Sequence, residues 1–391
     1  MSSKGVSEAR KRRILLISAD DFSGVRPALM AALIRAGCDV LYRRQSLREL
    51  GALRYWHVLR MLVSAGWSYR RAAWVLLGRT RAAFVARSRV NTLLVNRHLD
   101  VDGVILLVAS SGYDAALSQR RPRLMLYTDY GNLLSKALPD HGFALSERRV
   151  HPSWNVLERE ALLVQDRVFV MGAGVRAAME SAYRIPAGKI AAVGAGPGLD
   201  VDVVRDSGVK DASNRTVLFV GKLAAVKGLA VLLEAFAAVR GVFPDAVLHV
   251  VTVDSVAAPG VVSHRGLSES ELKELFYRCS IFAMPAFKEP LGLVFLEAML
   301  SKCACVGTTV GSMPELIQDG VTGYVIEPGD ASALAARLID LLGDAAKTRA
   351  MGERAYGAAK DYWNWDAVAK RMLGELPQQV VGQSDRLPAA E

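Results

Sequence analysis

PAFKEPLGLVFLE, residues 285–297, joins a short apolar run to an amphipathic one. The run Cys279–Met284 has the length and content of a buried strand, and Pro285 ends it. Beyond Gly292, the spacing of Leu293, Phe295, Leu296, Met299 and Leu300 predicts a helix whose free backbone N–H groups point back toward the strand end. Such an N-terminus attracts phosphate through its unpaired donors and the helix dipole. Glu289 falls in the loop before the helix, and Glu297 about a turn and a half inside it. A carboxylate only accepts hydrogen bonds, so it suits hydroxyl groups better than phosphate. The pair therefore predicts a ligand carrying both phosphates and hydroxyls, the chemistry of a nucleotide sugar.

Two glutamates in an E-x7-E spacing are common on solvated helix faces, so the surrounding residues carry the argument. The run PAFKEPLGLVFLEAMLSKCACVGTTVGSMPELIQDGVTGYVIEPGD keeps Gly292, Glu315, Gly320 and Gly323 in register and resembles the donor-site signature of retaining family 4 glycosyltransferases. That resemblance implies a GT-B fold, an α/β architecture of two doubly wound Rossmann-like domains facing each other across a cleft. It also implies sugar transfer from a nucleotide-diphosphate donor with retention of anomeric configuration, requiring neither a cofactor nor a metal. By the same resemblance Pro290, Leu291, Gly292, Leu293 and Glu297 bind the donor, Glu289 holding the sugar hydroxyls and Glu297 the ribose.

The chain has 391 residues, of which 51% are hydrophobic and 23% charged, enough for two packed domains and too apolar for disorder. No apolar stretch approaches the roughly 18 residues of a membrane-spanning helix, and Met1–Arg10 lacks the apolar core of a signal peptide. These features predict a cytoplasmic protein. Cys38, Cys279, Cys303 and Cys305 lie in apolar settings and read as buried strand thiols.

Charge is localised. Between Arg43 and Arg97 stand twelve arginines, no lysine and one acid, Glu49, a local charge of +11 against +10 for the whole chain. Arg54–Trp67 is amphipathic at helical period: Tyr55, Val58, Leu59, Leu62 and Val63 share an arc with Trp56, and Arg54, His57, Arg60 and Ser64 share the opposite one. Seven arginines from Arg70 to Arg97 are interleaved with Trp74, Leu77 and Phe84. An anionic membrane surface on the inner face of the cytoplasmic membrane or an acidic acceptor would attract such a segment. Ordinary helices with solvated arginines fit the pattern equally. Nucleic acid is not expected, since no recognition motif accompanies the charge.

The first half alternates strands and helices: strands at Arg13–Ser18, Cys38–Tyr42, Gly103–Ala109, Arg123–Tyr127 and Arg167–Met171, with a helix at Val25–Ala36. This predicts a parallel sheet whose ligands bind outside the carboxyl ends of its strands. The loop Ala19–Arg26 leaves the first strand there, and in the family this position carries a glycine-rich loop touching donor phosphate and acceptor; here it holds Gly24 alone. Thr128-Asp129, followed by Tyr130, stands where the family often has a histidine facing the donor sugar, making Asp129 a candidate catalytic residue. His141 and His151 are nearby loop histidines. Gly172-Ala173-Gly174 and Gly194–Gly198 are fragments of a dinucleotide fingerprint, without the full G-x-G-x-x-G or its later acid. The second of them reads as a flexible interdomain hinge. Asp100-x-Asp102 and Asp200-x-Asp202 match a metal-binding D-x-D by spacing alone, and no metal site is assigned.

A second alternating unit starts with the strand Thr216–Val220, then Gly221-Lys222-Leu223, Lys227-Gly228 and a helix Leu229–Arg240. A glycine at a strand end admits a ligand close to the backbone, and two lysines five apart can converge on a diphosphate. The element is no Walker A loop, lacking its upstream glycine and its Ser or Thr after the lysine. It resembles the family's G-[RK]-L-x4-K-G, in which both cations neutralise the departing diphosphate, so Lys222 and Lys227 are candidate catalytic residues and Gly221 a donor contact. Ala246–Thr252 is the next strand; His264-Arg265-Gly266-Leu267 precedes the helix Glu269–Tyr277, and in the resembled family this loop lies near the nucleobase, giving Arg265 and Gly266.

The expected organisation is 1–200 for an acceptor-binding domain holding the Arg-rich segment 43–97, 201–375 for the donor-binding domain with its last helix crossing back, and 376–391 for a disordered tail. The expected reaction moves a sugar to a glycan, lipid-linked or small-molecule acceptor. The alternatives are a GT-B epimerase or phosphorylase and, from another class, a non-catalytic sugar-nucleotide or membrane-surface binding module.

Overall fold

The computed structural model describes residues 10–19, 21, 24–64, 81–107, 112–113, 122–129, 153–199 and 211–376. Tyr130, His141, His151, Asp200, Asp202, Trp67, Trp74, Leu77, the arginines from Arg70 to Arg79 and the tail beyond 376 lie outside them, as do the side chains of Leu62 and Ser64.

In the first half the order is β1 (Arg13–Ser18), α1 (Val25–Arg35), β2 (Asp39–Arg44), α2 (Leu53–Ser64), α3 (Arg81–Asn96), β3 (Gly103–Leu107), β4 (Arg123–Thr128), α4 (Trp154–Val164), β5 (Arg167–Val170), α5 (Ala173–Tyr183) and β6 (Ile190–Ala192). The second half continues with β7 (Thr216–Val220), α6 (Leu229–Val242), β8 (Val247–Val251), β9 (Val261–His264), α7 (Glu269–Arg278), β10 (Ile281–Ala283), α8 (Leu293–Leu300), β11 (Ala304–Thr308), α9 (Met313–Leu316), β12 (Gly323–Ile326), α10 (Ala331–Gly343), α11 (Ala345–Asp361) and α12 (Trp365–Gly374).

The strands form two six-stranded sheets, β2-β1-β3-β4-β5-β6 and β12-β11-β10-β7-β8-β9, and every pairing is parallel. Parallel sheets are covered on both faces, which explains why β1 is a continuous apolar run and not an alternating one. Its residues divide by parity: Ile14 and Leu16 pack with α1, while Leu15 and Ile17 pack with α3. Both orders are doubly wound, the second being the 3-2-1-4-5-6 order of dinucleotide-binding folds. Each order has one place where neighbouring strands send their connections to opposite sides, between β1 and β3 in the first sheet and between β7 and β10 in the second. Ligands of open α/β sheets bind in the crevice that opens there.

α12 lies across α1, with Arg35 and Asp366 2.7 Å apart and Arg12 donating to the Leu373 carbonyl at 3.5 Å. The buried apolar residues of the α1 side of the first sheet, the segment Val193–Ala195, α12 and the second sheet form one continuous cluster.

Three expectations are corrected. Gly194–Gly198 is not a loose hinge: Gly194, Ala195 and Gly196 are buried, and a Cβ on Gly196 would lie 2.5 Å from the Trp365 ring, whose Nε1 donates to the Pro197 carbonyl at 2.7 Å. Aromatic packing from α12 fixes this connection. On α2, His57 does not share a solvated arc with Arg54 and Arg60. It is 1% exposed, with Nε2 3.3 Å from Arg89, while Tyr55 and Trp56 are 67% and 57% exposed. The helix turns His57 toward α3, and Arg60 and the apolar arc outward. The expected strand Cys279–Met284 is shorter, Ile281–Ala283, because Cys279 still caps the end of α7, its N–H donating to the Leu275 carbonyl.

The two loops at the β7/β10 divergence are pressed together. Gly228 has φ +76°, and a Cβ there would lie 1.9 Å from the Pro285 carbonyl oxygen. Gly228→Ala should therefore lower stability by about 2–3 kcal/mol through left-handed strain and backbone collision. Denaturant unfolding of the variant beside Gly241→Ala, a glycine with open space around it, checks this.

Candidate active site

The site assembles at the carboxyl ends of β7 and β10. Gly228 seats the first loop on Pro285, and Phe287 N–H donates to the Val226 carbonyl at 3.0 Å. Gly221 leaves room for the aliphatic stem of Lys227, whose Cγ would be 3.0 Å from a Cβ at that position. Held this way, Lys227 Nζ reaches Glu289 Oε2 at 2.5 Å and the Lys288 carbonyl at 3.4 Å. The pair is mostly shielded from water, which strengthens the attraction relative to a surface pair.

Behind Glu289, Leu291 is buried and Pro290 and Leu293 are half-buried. Gly292, at φ +89°, is the residue before α8, and no side chain caps that helix. Its first-turn amides lie beside the Lys227–Glu289 pair, the arrangement that favours an anion. Lys222 is exposed on the same loop. Arg265 and Gly266 are exposed at the carboxyl end of β9, on the same sheet edge as Lys227 but at the outermost strand. The preceding His264 Nε2 is 3.0 Å from His249 Nδ1, and burial together with His264 takes the His249 imidazole down to about 4, so it is neutral near pH 7.

The remaining sequence-derived positions sit elsewhere on the cleft. Gly24 is the residue before α1 and packs on the interdomain segment, where a Cβ would lie 2.4 Å from the Gly198 carbonyl oxygen. Asp129 is half-buried just past β4; neighbouring Tyr127 is fully buried and donates to the Gly194 carbonyl at 2.9 Å. Glu297 is 7% exposed and accepts from the Leu199 N–H at 3.2 Å. Burial pushes its carboxyl up to about 7, against the opposing pull of the Leu199 and Gly198 amides. In this structure Glu297 holds the interdomain segment. Asp100 and Asp102 lie at the opposite end of the first sheet: both bind Arg13, at the amino ends of β1 and β3.

Sequence reasoning assigned no role to Ser312 or to Glu315, although Glu315 was in register. Glu315 accepts the Ala173 N–H at 2.7 Å and the Gly174 N–H at 2.5 Å, joining the second sheet to α5 of the first. Among the described residues no group of three His, Cys, Asp or Glu side chains is arranged to hold a metal ion.

Residues 214–344, which carry both loops of this site, match the family described as Glycosyl transferases group 1. That match covers about one third of the chain. N-acetyl-alpha-D-glucosaminyl L-malate synthase of Bacillus anthracis is 44% identical over 87 residues, 22% of this chain and 23% of that protein. The chain spans about half or less of the length of the curated relatives it matches. Among solved structures, sucrose-phosphate synthase from Thermosynechococcus elongatus superimposes with a TM-score of 0.65 at 17% identity, covering 93% of this chain and 98% of that one. Anabaena HepE in complex with UDP-glucose gives 0.64 at 15%, covering 93% and 100%. The expected GT-B fold is thus the observed one.

The raised Glu297 carboxyl has a signed consequence. Between about pH 4.5 and 7 the folded protein holds a proton there that the unfolded chain has released, so this group's contribution falls as pH rises through that window. Glu297→Gln should flatten the pH dependence of urea stability between those limits relative to the parent, and an unchanged profile would contradict a buried, protonated Glu297.

Proposed function

We propose that the protein is a retaining glycosyltransferase that moves a sugar from a nucleotide-diphosphate donor to a glycan, lipid-linked or small-molecule acceptor. The observation that carries this reading is the shielded Lys227–Glu289 pair at the β7/β10 divergence, beside the uncapped start of α8. Glycosyl transfer builds positive charge on the sugar carbon and negative charge on the departing diphosphate. The α8 amides with Lys227 and Lys222 are aimed where that negative charge develops, which lowers the barrier and not merely the binding energy. Glu289, oriented by Lys227, accepts from sugar hydroxyls, and Pro290, Leu291 and Leu293 shape the sugar pocket. Glu297 contacts the ribose once its hold on the interdomain segment is exchanged for ribose hydroxyls. Arg265 and Gly266 border the base, and Gly24 and Asp129 face the reacting centre from the first sheet. The leaving phosphate itself takes the acceptor's proton, so the scheme needs neither a protein nucleophile nor a metal. Support for a sugar-nucleotide ligand comes from HepE, a fold neighbour whose structure holds UDP-glucose.

A panel of nucleoside diphosphates and their sugars should raise the melting temperature without Mg²⁺, because a ligand that binds only the folded state stabilises it. Lys227→Ala and Glu289→Gln should each lower donor turnover by about 10²–10³-fold. Unchanged turnover in Glu289→Gln would remove this site assignment, and no shift across the whole panel would favour a binding module.

The partner surface belongs to the same reading: α2 lies on an anionic membrane face, at the cytoplasmic side. Tyr55, Trp56, Leu59 and Val63 are exposed, and the surrounding segment carries eleven net positive charges. Exposed aromatics beside arginines match the two attractions of an interfacial helix. No helix among the described residues is long and apolar enough to cross a membrane. In co-sedimentation, phosphatidylglycerol vesicles should retain the protein and phosphatidylcholine vesicles should not. Arg54→Gln with Arg60→Gln should weaken retention by about fivefold per arginine; no change would overturn the membrane assignment.

A further inference from the structure

Gly172-Ala173-Gly174 looks in sequence like a broken dinucleotide fingerprint, but its structural setting is different. These residues open α5, a helix with no side-chain cap of its own and no acid in its first turn. Its three leading amides are satisfied from the other sheet. Glu315 Oε2 takes the Ala173 N–H, Glu315 Oε1 takes the Gly174 N–H, and Ser312 Oγ takes the Val175 N–H at 3.3 Å. A carboxylate on a helix N-terminus combines charge-assisted hydrogen bonds with a favourable dipole. The fit tolerates no side chain on the α5 side: a Cβ on Gly172 would lie 2.2 Å from Ser312 Oγ, and one on Gly174 2.6 Å from the Gly311 carbonyl oxygen.

The clasping loop is also the back wall of the donor site. Ser312 N–H donates to the Pro290 carbonyl at 2.8 Å, and a Cβ on Gly311 would lie 2.0 Å from the Glu289 carbonyl oxygen. The segment holding Glu289 is therefore one backbone contact away from the segment that grips the first domain.

We propose that Glu315 is a positioning residue: clasping the start of α5, it sets the Glu289–Gly292 loop in register with the acceptor-facing domain, so that donor bound on one side is presented to the other. Glu315 touches no substrate in this scheme, which rests on the sugar-transfer reading. Loss of the clasp leaves the donor-binding residues intact and misplaces them relative to the facing domain. The effect belongs in kcat and not in donor affinity, because orientation between reacting groups enters the transition state and not the ground-state complex.

The test uses the full chain and its Glu315→Ala, Glu315→Gln and Gly174→Ala variants, with UDP-glucose, GDP-mannose and ADP-glucose as probes. Hydrogen exchange at Ala173–Val175 should accelerate by about tenfold or more in Glu315→Ala, and less in Glu315→Gln, which keeps one acceptor oxygen. The probe that stabilises the parent should stabilise Glu315→Ala by the same temperature shift, while release of nucleoside diphosphate falls by about tenfold in kcat with KM within about twofold. Gly174→Ala, which attacks the same contact from the opposite side, should reproduce the pattern. Unchanged exchange at Ala173–Val175 in Glu315→Ala would overturn the clasp, and accelerated exchange with unaltered kcat would overturn its positioning role. If no probe stabilises the parent, the sugar-transfer reading falls, and the clasp is judged on exchange alone.

Discussion

The backbone of Gly228 against the carbonyl of Pro285 is the contact on which the site depends. β7 and β10 are neighbours whose connections leave in opposite directions, so a crevice opens between their loops unless something closes it. Here the loops meet backbone to backbone, an approach that any Cβ would prevent. Lys227 is consequently the last side chain before a fixed point, and its stem has one direction left, along Gly221 toward Glu289. From Glu289 the same kind of contact continues through Gly311 to Ser312 and on to α5. A series of side-chain-free approaches thus carries position from a strand of one sheet to a helix of the other.

A second set of contacts acts on the connection between the sheets. Tyr127, Trp365, Arg371 and Glu297 each bond a backbone group of Val193–Leu199, from three different elements, β4, α12 and α8. Three of these partners are neutral or cationic, and their bonds are insensitive to pH near neutrality. Glu297 differs, because its carboxyl is poised near 7 and a ribose would offer it hydroxyl donors in place of the Leu199 amide. Under the proposed function, a donor would compete with one tie of the interdomain segment while the aromatic and arginine ties persist, which would permit a small adjustment of the cleft without separating the two halves.

Much of this arrangement was legible in the residues. β1 and β7 stand at Arg13–Ser18 and Thr216–Val220, where their unbroken apolar runs placed them, because two-sided burial leaves a strong local signature. β6 and β9 went unrecognised: Ile190–Ala192 is three residues long, and Val261–His264 is a partly exposed edge strand with polar residues. Their identity comes from the neighbouring strand, which no local pattern encodes. That the loops holding Lys227 and Glu289 leave strands of one sheet on the same side was legible too. The orientation of α2 was not, since helical periodicity separates two arcs without saying which one faces the protein; burial of His57 against Arg89 decides that, and α3 is far away in sequence. The role of Glu315 was equally hidden, because its partners are the amides of residues more than a hundred positions earlier.

How the helices begin divides them into two groups. α7, α10, α11 and α12 start with Ser268, Asp330, Asp344 and Asn364, each bonding a backbone amide of its own first turn. α1, α5, α6 and α8 start with Gly24, Gly172, Gly228 and Gly292, and none has a side-chain cap. Each of the latter follows a strand, and at α5 the missing cap is supplied by the opposite domain. A glycine at a helix start costs a few tenths of a kcal/mol relative to a side-chain cap, so four of them make a small, repeated departure from local stability. The departure is explained if those amides serve partners from outside their own segment: Glu315 at α5, and the anionic part of a ligand at α8.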